Sequence, residues 1–136
     1  MVTAGYRACD VGTDHGFVPA YLLKNNICPY VIAVDISEGS LLKARELSDR
    51  LGLSDRMECR LSDGFENILP GEADCAVISG MGGILMTHII EAHPEVVSSL
   101  KEMVLSPHRD ADLVRSYVES CGFTIVSDVT VTDKKK

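Results

Sequence analysis

The stretch RACDVGTDHGF, residues 7–17, begins as an apolar strand and ends in a polar turn that leads into a helix. Asp10 and Gly12 fall at the end of the strand predicted for residues 6–11, and Gly16 falls where the helix begins. In open α/β sheets, ligands bind in the crevice outside the carboxyl ends of the strands. The stretch therefore predicts an α/β fold with a ligand-binding turn after its first strand.

The rest of the chain repeats this alternation of strand and helix. Apolar runs predict strands at 6–11, 30–36, 56–61, 73–79, 102–106 and 123–131, and helical spacing predicts helices at 16–26, 37–52, 83–100 and 110–122. A further short helix is predicted after Asp63. Pro19 falls in the first turn of the first predicted helix, where proline is tolerated. Ser37 and Gly52 mark the start and the end of the second helix, and Pro94 is expected to break the third. The pattern predicts one α/β domain over residues 1–136, with a mostly parallel, twisted sheet and helices on both faces.

Composition and charge limit the classes of function. The 136 residues carry a net charge of −7, and no Lys or Arg occurs between residues 61 and 100, which disfavours a dedicated nucleic-acid binder. Scattered cations such as Lys43, Arg45, Arg109 and Arg115 are interpreted as solvated helix faces.

The five cysteines include no CxxC pair, which predicts reduced thiols in a cytoplasmic protein. The apolar runs are too short to span a membrane, and Lys134–Lys136 is expected to be a solvated tail.

The glycine spacing in the first turn distinguishes between two nucleotide ligands. Asp35 ends the second predicted strand, nineteen residues after Gly16, where a carboxylate can accept both ribose hydroxyls of NAD or of S-adenosylmethionine. The dinucleotide pattern G-x-G-x-x-G is absent, and Asp14 would repel a pyrophosphate. S-adenosylmethionine instead carries a sulfonium and an ammonium, which nearby carboxylates suit. The alternative is an ordinary strand–helix turn with Asp14 as the N-cap.

Two later turns extend the predicted site. Asp63 in LSDGFE (61–66) can accept a hydrogen bond from an adenine amino group, or it caps the short helix that follows. The turn ISGMGG (78–83) has three glycines in four residues, which predicts open backbone beside the methyl acceptor; a tight turn with positive φ is the alternative. This turn lacks the Asn/Asp-Pro-Pro-aromatic sequence of enzymes that methylate exocyclic amines. A ring nitrogen is therefore the favoured acceptor.

The segments DVGTDHG, DISEGSLLKA, LSDG and ISGMGG together resemble the bacterial tRNA (adenine(22)-N1)-methyltransferases, the TrmK family. The resemblance covers nearly all of the chain. It implies a class I, Rossmann-like domain that uses S-adenosylmethionine to methylate an adenine N1 in the D-loop region of tRNA. The family's C-terminal helical extension and most of its helix before strand one have no counterpart here, so we expect a domain truncated at both ends that binds tRNA weakly.

The resemblance also implies roles for individual residues. The methionine side of the cofactor would be bound by the first turn and the strand end before it, namely Asp10, Gly12, Thr13, Asp14, His15 and Gly16. The ribose would be bound by Asp35 with Ile36, and the adenine by Asp63 and Gly64. The acceptor pocket would be bordered by Gly80, Met81, Gly82 and Gly83, of which Gly80 and Gly82 would also lie beside the cofactor. The candidate catalytic residues are Asp14, His15, Gly80 and Met81. The family often has Gln-Pro-Asn after strand five, whereas this chain has Ser106-Pro107-His108.

Three other functions stay open on the sequence alone. They are a methyltransferase for a small molecule, a nicotinamide-dependent oxidoreductase, which the glycine spacing disfavours, and a module that binds S-adenosylmethionine without transferring its methyl group. No metal site is predicted, because His88 and His93 are five residues apart and so lie on different faces of a helix. We expect both to be partly exposed helix residues.

Overall fold

The computed structural model describes residues 2–125 and 130–132, and it confirms the α/β class. The strands are β1 (Ala8–Val11), β2 (Val31–Asp35), β3 (Met57–Leu61), β4 (Cys75–Ser79), β5 (Glu102–Ser106), β6 (Thr124–Ile125) and β7 (Thr130–Thr132). The helices are α1 (Phe17–Lys24), α2 (Glu38–Leu51), α3 (Gly83–Ala92), α4 (Pro94–Val97) and α5 (Ala111–Ser120).

The seven strands form one sheet in the order β3-β2-β1-β4-β5-β7-β6. Strands β1 to β5 are all parallel to their neighbours, and β7 is antiparallel to both β5 and β6. The mostly parallel sheet is therefore confirmed. Because β1 lies between β2 and β4, the turns that follow these three strands meet at the same edge of the sheet.

Alternating side chains of the strands build one apolar core on each face of the sheet. Cys9 and Ile32 pack with buried residues of α3 and α5, whereas Ala8 and Val31 pack with buried residues of α1 and α2. Successive side chains of a strand point to opposite faces, so each of these buried strands supplies both cores. The helices on both faces are thus held to the sheet, and the strand ends are fixed relative to one another.

The predicted helix boundaries are largely confirmed. Ser37 accepts a hydrogen bond from the Ser40 N–H at 3.2 Å and caps α2, which ends at Gly52 in the left-handed conformation. Pro19 lies in the first turn of α1, where its missing N–H is not needed. The stretch predicted at 83–100 is divided between α3 and α4 at His93, directly before Pro94.

Two predicted elements are wrong. No helix follows Asp63: the Ser62 hydroxyl donates to the Gly64 carbonyl at 2.8 Å and accepts from the Asn67 N–H at 3.0 Å, which stabilises a turn instead. The single strand predicted at 123–131 is two short antiparallel strands, β6 and β7. Residues 126–129, and the tail predicted for Lys134–Lys136, lie outside the described residues.

The cysteine side chains are free thiols, as predicted. Cys9, Cys28 and Cys75 are buried, and Cys121 is exposed. Burial raises the pKa of the Cys9 thiol to about 12, which keeps it protonated and unreactive at neutral pH. Among the described residues, no helix is both long and apolar enough to cross a bilayer.

Candidate functional site

The turn after β1 is held against the end of β2 by its backbone. The N–H groups of Gly12 and Thr13 both donate to the Val34 carbonyl, each at 2.9 Å. Gly12 has a φ of +76°, and a Cβ at this position would lie 3.2 Å from the Cε atom of Met81. Glycine is therefore needed at residue 12 for its backbone conformation and for the close approach of the turn that follows β4.

Asp14 adopts a left-handed backbone in the middle of this turn. Its φ is +58°, a conformation that aspartate tolerates better than most residues, and its N–H donates to Asp35 Oδ2 at 3.0 Å. The interpretation of Asp14 as an N-cap is wrong: the N-cap of α1 is Gly16, with no side-chain cap. Asp14 thus occupies a position suited to glycine, and the second strand holds it there.

The Asp35 carboxylate is oriented by two backbone donors. Oδ2 accepts the Asp14 N–H at 3.0 Å, and Oδ1 accepts the Ser37 N–H at 2.9 Å. A carboxylate offers about four lone-pair positions, so each oxygen retains one for a ligand. A pair of adjacent hydroxyl groups is the complementary donor for this arrangement.

The Asp10 carboxyl group is buried without a hydrogen-bond partner for Oδ1. Asp10 is 2% exposed, and the Thr13 hydroxyl beside it also lacks a hydrogen-bond partner. Burial, with a smaller contribution from the Asp35 charge, raises the pKa of Asp10 to about 7, although the nearby Thr13 hydroxyl lowers it. A buried polar atom without a partner costs free energy, and a bound cation would remove that cost.

The ends of the strands enclose a cleft of about 120 Å³. Its lining contains the predicted residues Gly12, Asp35, Ile36, Asp63, Gly64 and Met81. Sequence reasoning missed the other four, which are Val11, Ser62, Leu85 and Ile89. Leu85 and Ile89 are four residues apart on α3, so the helical period counted from the turn ISGMGG could have indicated them.

The cleft lining combines acidic and apolar side chains. Asp35 and Asp63 line it together with Ile36, whose side chain is 71% exposed. Gly64 has a φ of +60°, and a Cβ there would lie 3.0 Å from Ile89. Asp63 does not cap a helix, because only a turn follows it, so its carboxylate is not needed for the local fold.

The three glycines of the turn after β4 have different functions, which corrects the prediction of a uniformly open backbone. Gly80 has a φ of +77° and open space around its Cβ position. A Cβ on Gly82 would lie 3.3 Å from Arg109 Nε, and one on Gly83 would lie 2.6 Å from the Asp110 carbonyl oxygen. Only Gly80 leaves backbone open to a ligand, whereas Gly82 and Gly83 allow the turn after β5 to pack closely.

The His15 side chain contacts the helices rather than the turn after β4. Its Nδ1 lies 3.1 Å from Asp14 Oδ2, its Nε2 lies 3.5 Å from Lys43 Nζ, and its ring stacks on Phe17 with centroids 5.5 Å apart. An ammonium group can only donate, so these contacts suit the neutral ring with its proton on Nδ1. The structure thus separates two of the catalytic candidates: Met81 lines the cleft, whereas His15 contacts Asp14 of its own turn, Phe17 of α1 and Lys43 of α2.

Histidines elsewhere do not form a metal centre with their neighbours. His88 is exposed on α3, and His93 lies at the junction of α3 and α4, where its Nδ1 is 3.7 Å from Glu95 Oε2. Within residues 2–125, no group of three His, Cys, Asp or Glu side chains is arranged to hold a metal ion.

The chain is similar to known proteins in sequence and in fold. The chain matches a family model described as "Methyltransferase domain" over residues 1–136. It is 32% identical over 132 residues to the tRNA (adenine(22)-N(1))-methyltransferase of Bacillus subtilis, a match that covers 97% of this chain and 56% of that protein. The chain therefore spans little more than half the length of that curated relative.

Solved structures show the same fold. The B. subtilis M1A22 tRNA methyltransferase TrmK superposes with a TM-score of 0.88 at 28% identity, covering 96% of this chain and 58% of that one. The TrmK of M. capricolum, solved with S-adenosyl-homocysteine, superposes with a TM-score of 0.83 at 24% identity, covering 100% of this chain and 65% of that one. At 24% identity, the second likeness shows the fold alone.

Proposed function

Because the chain belongs to the methyltransferase domain family, with a class I, Rossmann-like fold, we propose that it transfers a methyl group from S-adenosylmethionine to N1 of an adenine in tRNA. The observation that carries this proposal is the cleft that brings Asp35 and Asp63 together near the end of β1, the strand that contains the buried Asp10 carboxyl group. The acceptor is proposed from the name of the B. subtilis relative.

The residues of the first turn fit the methionine part of S-adenosylmethionine. The Asp10 carboxylate, buried and without a partner for Oδ1, suits the ammonium group. The open N-terminus of α1, with no side-chain cap at Gly16, suits the carboxylate. NAD would instead place a dianionic pyrophosphate near Asp10, Asp14 and Asp35, which electrostatic repulsion disfavours.

The cleft fits the adenosine part. Asp35 has a free lone pair on each oxygen for the two ribose hydroxyls, and the Asp63 carboxylate can accept from the adenine amino group. Ile36 and Ile89 supply apolar surface for the base. Each of these contacts recognises a nucleoside, and none of them requires a phosphate.

The chain's own residues have to align and desolvate the reacting groups. S-adenosylmethionine supplies an electrophilic methyl group on its sulfonium. Adenine N1 carries an in-plane lone pair and no proton, so no general base is needed before attack. Catalysis would then rest mainly on positioning, with Gly80 leaving open backbone for the acceptor and Met81 covering Gly12. Asp14 and His15 remain candidate groups near the methionine side.

Two other functions share the same cofactor site. The net charge of −7 and the absence of Lys and Arg between residues 61 and 100 favour a small-molecule acceptor over tRNA. The second alternative function is that of a module that binds S-adenosylmethionine without transferring its methyl group. We infer that the chain binds tRNA weakly for the same electrostatic reason, and that it functions in the cytoplasm, where its five free thiols stay reduced.

Mass spectrometry of tRNA nucleosides tests the proposed acceptor. The chain is incubated with bulk bacterial tRNA and methyl-deuterated S-adenosylmethionine at low salt, and the digested nucleosides are analysed. We expect deuterated 1-methyladenosine as the main labelled product. Label in another nucleoside would refute the N1 assignment, and label found only in a parallel panel of metabolites would favour the small-molecule function.

Asp10 predicts a pH dependence of ligand binding. With a pKa of about 7, its carboxyl is mostly neutral at pH 6 and mostly ionised at pH 7.5, and only the ionised form attracts the ammonium group. We expect the affinity for S-adenosylhomocysteine to rise about five- to tenfold across this interval. In the ligand-free protein the sign is opposite: the raised pKa makes ionisation unfavourable to folding, so stability falls as pH rises from about 4 towards 7.

Calorimetric titration of the wild type and Asp10→Asn checks this prediction. The amide matches the carboxyl in shape but does not titrate. Its affinity should therefore stay low and change little between pH 6 and pH 7.5. A wild-type affinity that is flat with pH, or an equally steep profile in Asp10→Asn, would show that Asp10 does not bind the ammonium.

A further inference from the structure

A second cleft, of about 460 Å³, opens beside the first turn of α3. It is lined by Gly82, Ile84, Leu85, His88, Arg109 and Asp110. Leu85 lines the smaller cleft as well, so the two cavities adjoin at the start of α3. The two clefts therefore lie within one side chain of each other.

Arg109 is fixed at this cleft by the backbone of the turn after β4. The Gly83 N–H donates to the Arg109 carbonyl at 3.0 Å, and the His108 N–H donates to the Met81 carbonyl at 2.9 Å. The Arg109 side chain then lies across Gly82, where its Nε would be 3.3 Å and its Cγ 3.5 Å from an added Cβ. The absence of a side chain at Gly82 is what makes room for Arg109.

The charge on Arg109 is only partly offset by the neighbouring side chains. Through the described ranges 2–125 and 130–132, its guanidinium makes no hydrogen bond and no ion pair. The segment from residue 61 to residue 100 supplies no Lys or Arg, so the cation beside α3 comes from the turn after β5. The Asp110 carboxylate offsets part of the charge, whereas the uncapped N-terminus of α3 adds to it.

We propose that Arg109, with His88 beside it, binds a phosphate of the RNA strand next to the methyl-accepting nucleotide. This inference rests on the proposed function. Arginine offers a fixed charge and several donors, the pattern that proteins use for phosphodiesters. Ile84 and Leu85 are 54% and 53% exposed and present apolar surface to the adjoining sugar and base. Arg109 is exposed, as expected of the scattered cations, but it lies in a turn beside the second cleft and not on a helix face.

The test is the salt dependence of RNA binding. A fluorescent RNA hairpin with a D-loop sequence is titrated with the chain between about 50 and 200 mM salt. Arg109→Ala should reduce the slope of log affinity against log salt by about 0.7, the loss of one phosphate contact in a single-stranded loop, and weaken binding several-fold at low salt. Arg109→Lys should retain the slope. Arg50→Ala, in the exposed last turn of α2, is the matched control and should behave like the wild type.

Each outcome separates this inference from the proposed function. Arg109→Ala with a wild-type slope would overturn the inference, even if the wild type methylates tRNA. If Arg109→Ala reduces the slope but the wild-type chain methylates no tRNA, the phosphate site at Arg109 would stand and tRNA would be refuted as the methyl acceptor. In a parallel titration with AMP, loss of AMP binding while the RNA slope is unchanged would show a mononucleotide site instead. Unchanged S-adenosylhomocysteine affinity in all variants verifies that they fold.

Discussion

Replacing Asp35 with alanine is expected to weaken binding of S-adenosylhomocysteine about 30- to 100-fold. The carboxylate orients the turn after β1 through the Asp14 N–H and the start of α2 through the Ser37 N–H. It also offers a free lone pair on each oxygen to the ribose hydroxyls. Losing charged hydrogen bonds of this kind costs about 2–2.7 kcal/mol in total, which corresponds to that loss of affinity.

Asp35→Asn and Asp55→Ala make this measurement specific. Asparagine keeps one acceptor oxygen and should retain part of the affinity. Asp55 is an exposed carboxylate before β3, outside the cleft lining, so its removal changes the net charge by the same amount and should leave binding unchanged. If Asp35→Ala bound S-adenosylhomocysteine as the wild type does, the ribose would have to be held elsewhere.

Replacing Gly16 with alanine is expected to destabilise the protein by about 2–5 kcal/mol and to lower its Tm by about 6–20 °C. Gly16 has a φ of +81°, and a Cβ there would lie 2.9 Å from the Cβ and 3.0 Å from the Cα of Ala44. The new methyl group therefore meets the backbone of α2, which cannot move without separating α2 from the sheet. Part of the cost is the left-handed conformation, and part is the steric overlap.

Gly52→Ala separates these two costs. Gly52 has a φ of +72°, close to that of Gly16, but nothing lies within 4 Å of its Cβ position. Its replacement should cost only the conformational part, about 1–2 kcal/mol. Thermal unfolding of the two variants measures the difference directly. Equal losses of stability would mean that α1 and α2 are not packed as closely at Gly16 as the structure shows.

The core of the site was predictable because it depends on local sequence. Asp10, Gly12 and Asp35 fall at the ends of apolar strands, and parallel strands bring such ends to one edge of a sheet. The missing dinucleotide glycine pattern and the Asp14 charge between Gly12 and Gly16 together disfavoured a pyrophosphate. The strand pattern already places these residues at the ends of neighbouring strands, and the structure adds the distances between them.

Other features depend on contacts between distant segments and were not predictable. Leu85 and Ile89 line the cleft because of the way α3 packs against the sheet, which a single sequence does not specify. The place of Arg109 follows from the contact of Gly83 with the Asp110 carbonyl, across the turns after β4 and β5. The predicted helix after Asp63 failed because the Ser62 hydroxyl stabilises a turn there.

The central claim is that the turn between β1 and α1 holds a sulfonium amino acid joined to a nucleoside, and not a diphosphate. Calorimetric and thermal-shift titrations with S-adenosylhomocysteine and with NADH, run side by side on the wild-type chain, test it most directly. S-adenosylhomocysteine at about one hundred times its Kd should stabilise the fold by about 2.7 kcal/mol and raise the Tm by several degrees. NADH at the same concentration should leave the Tm unchanged, and a shift with NADH but none with S-adenosylhomocysteine would contradict the claim.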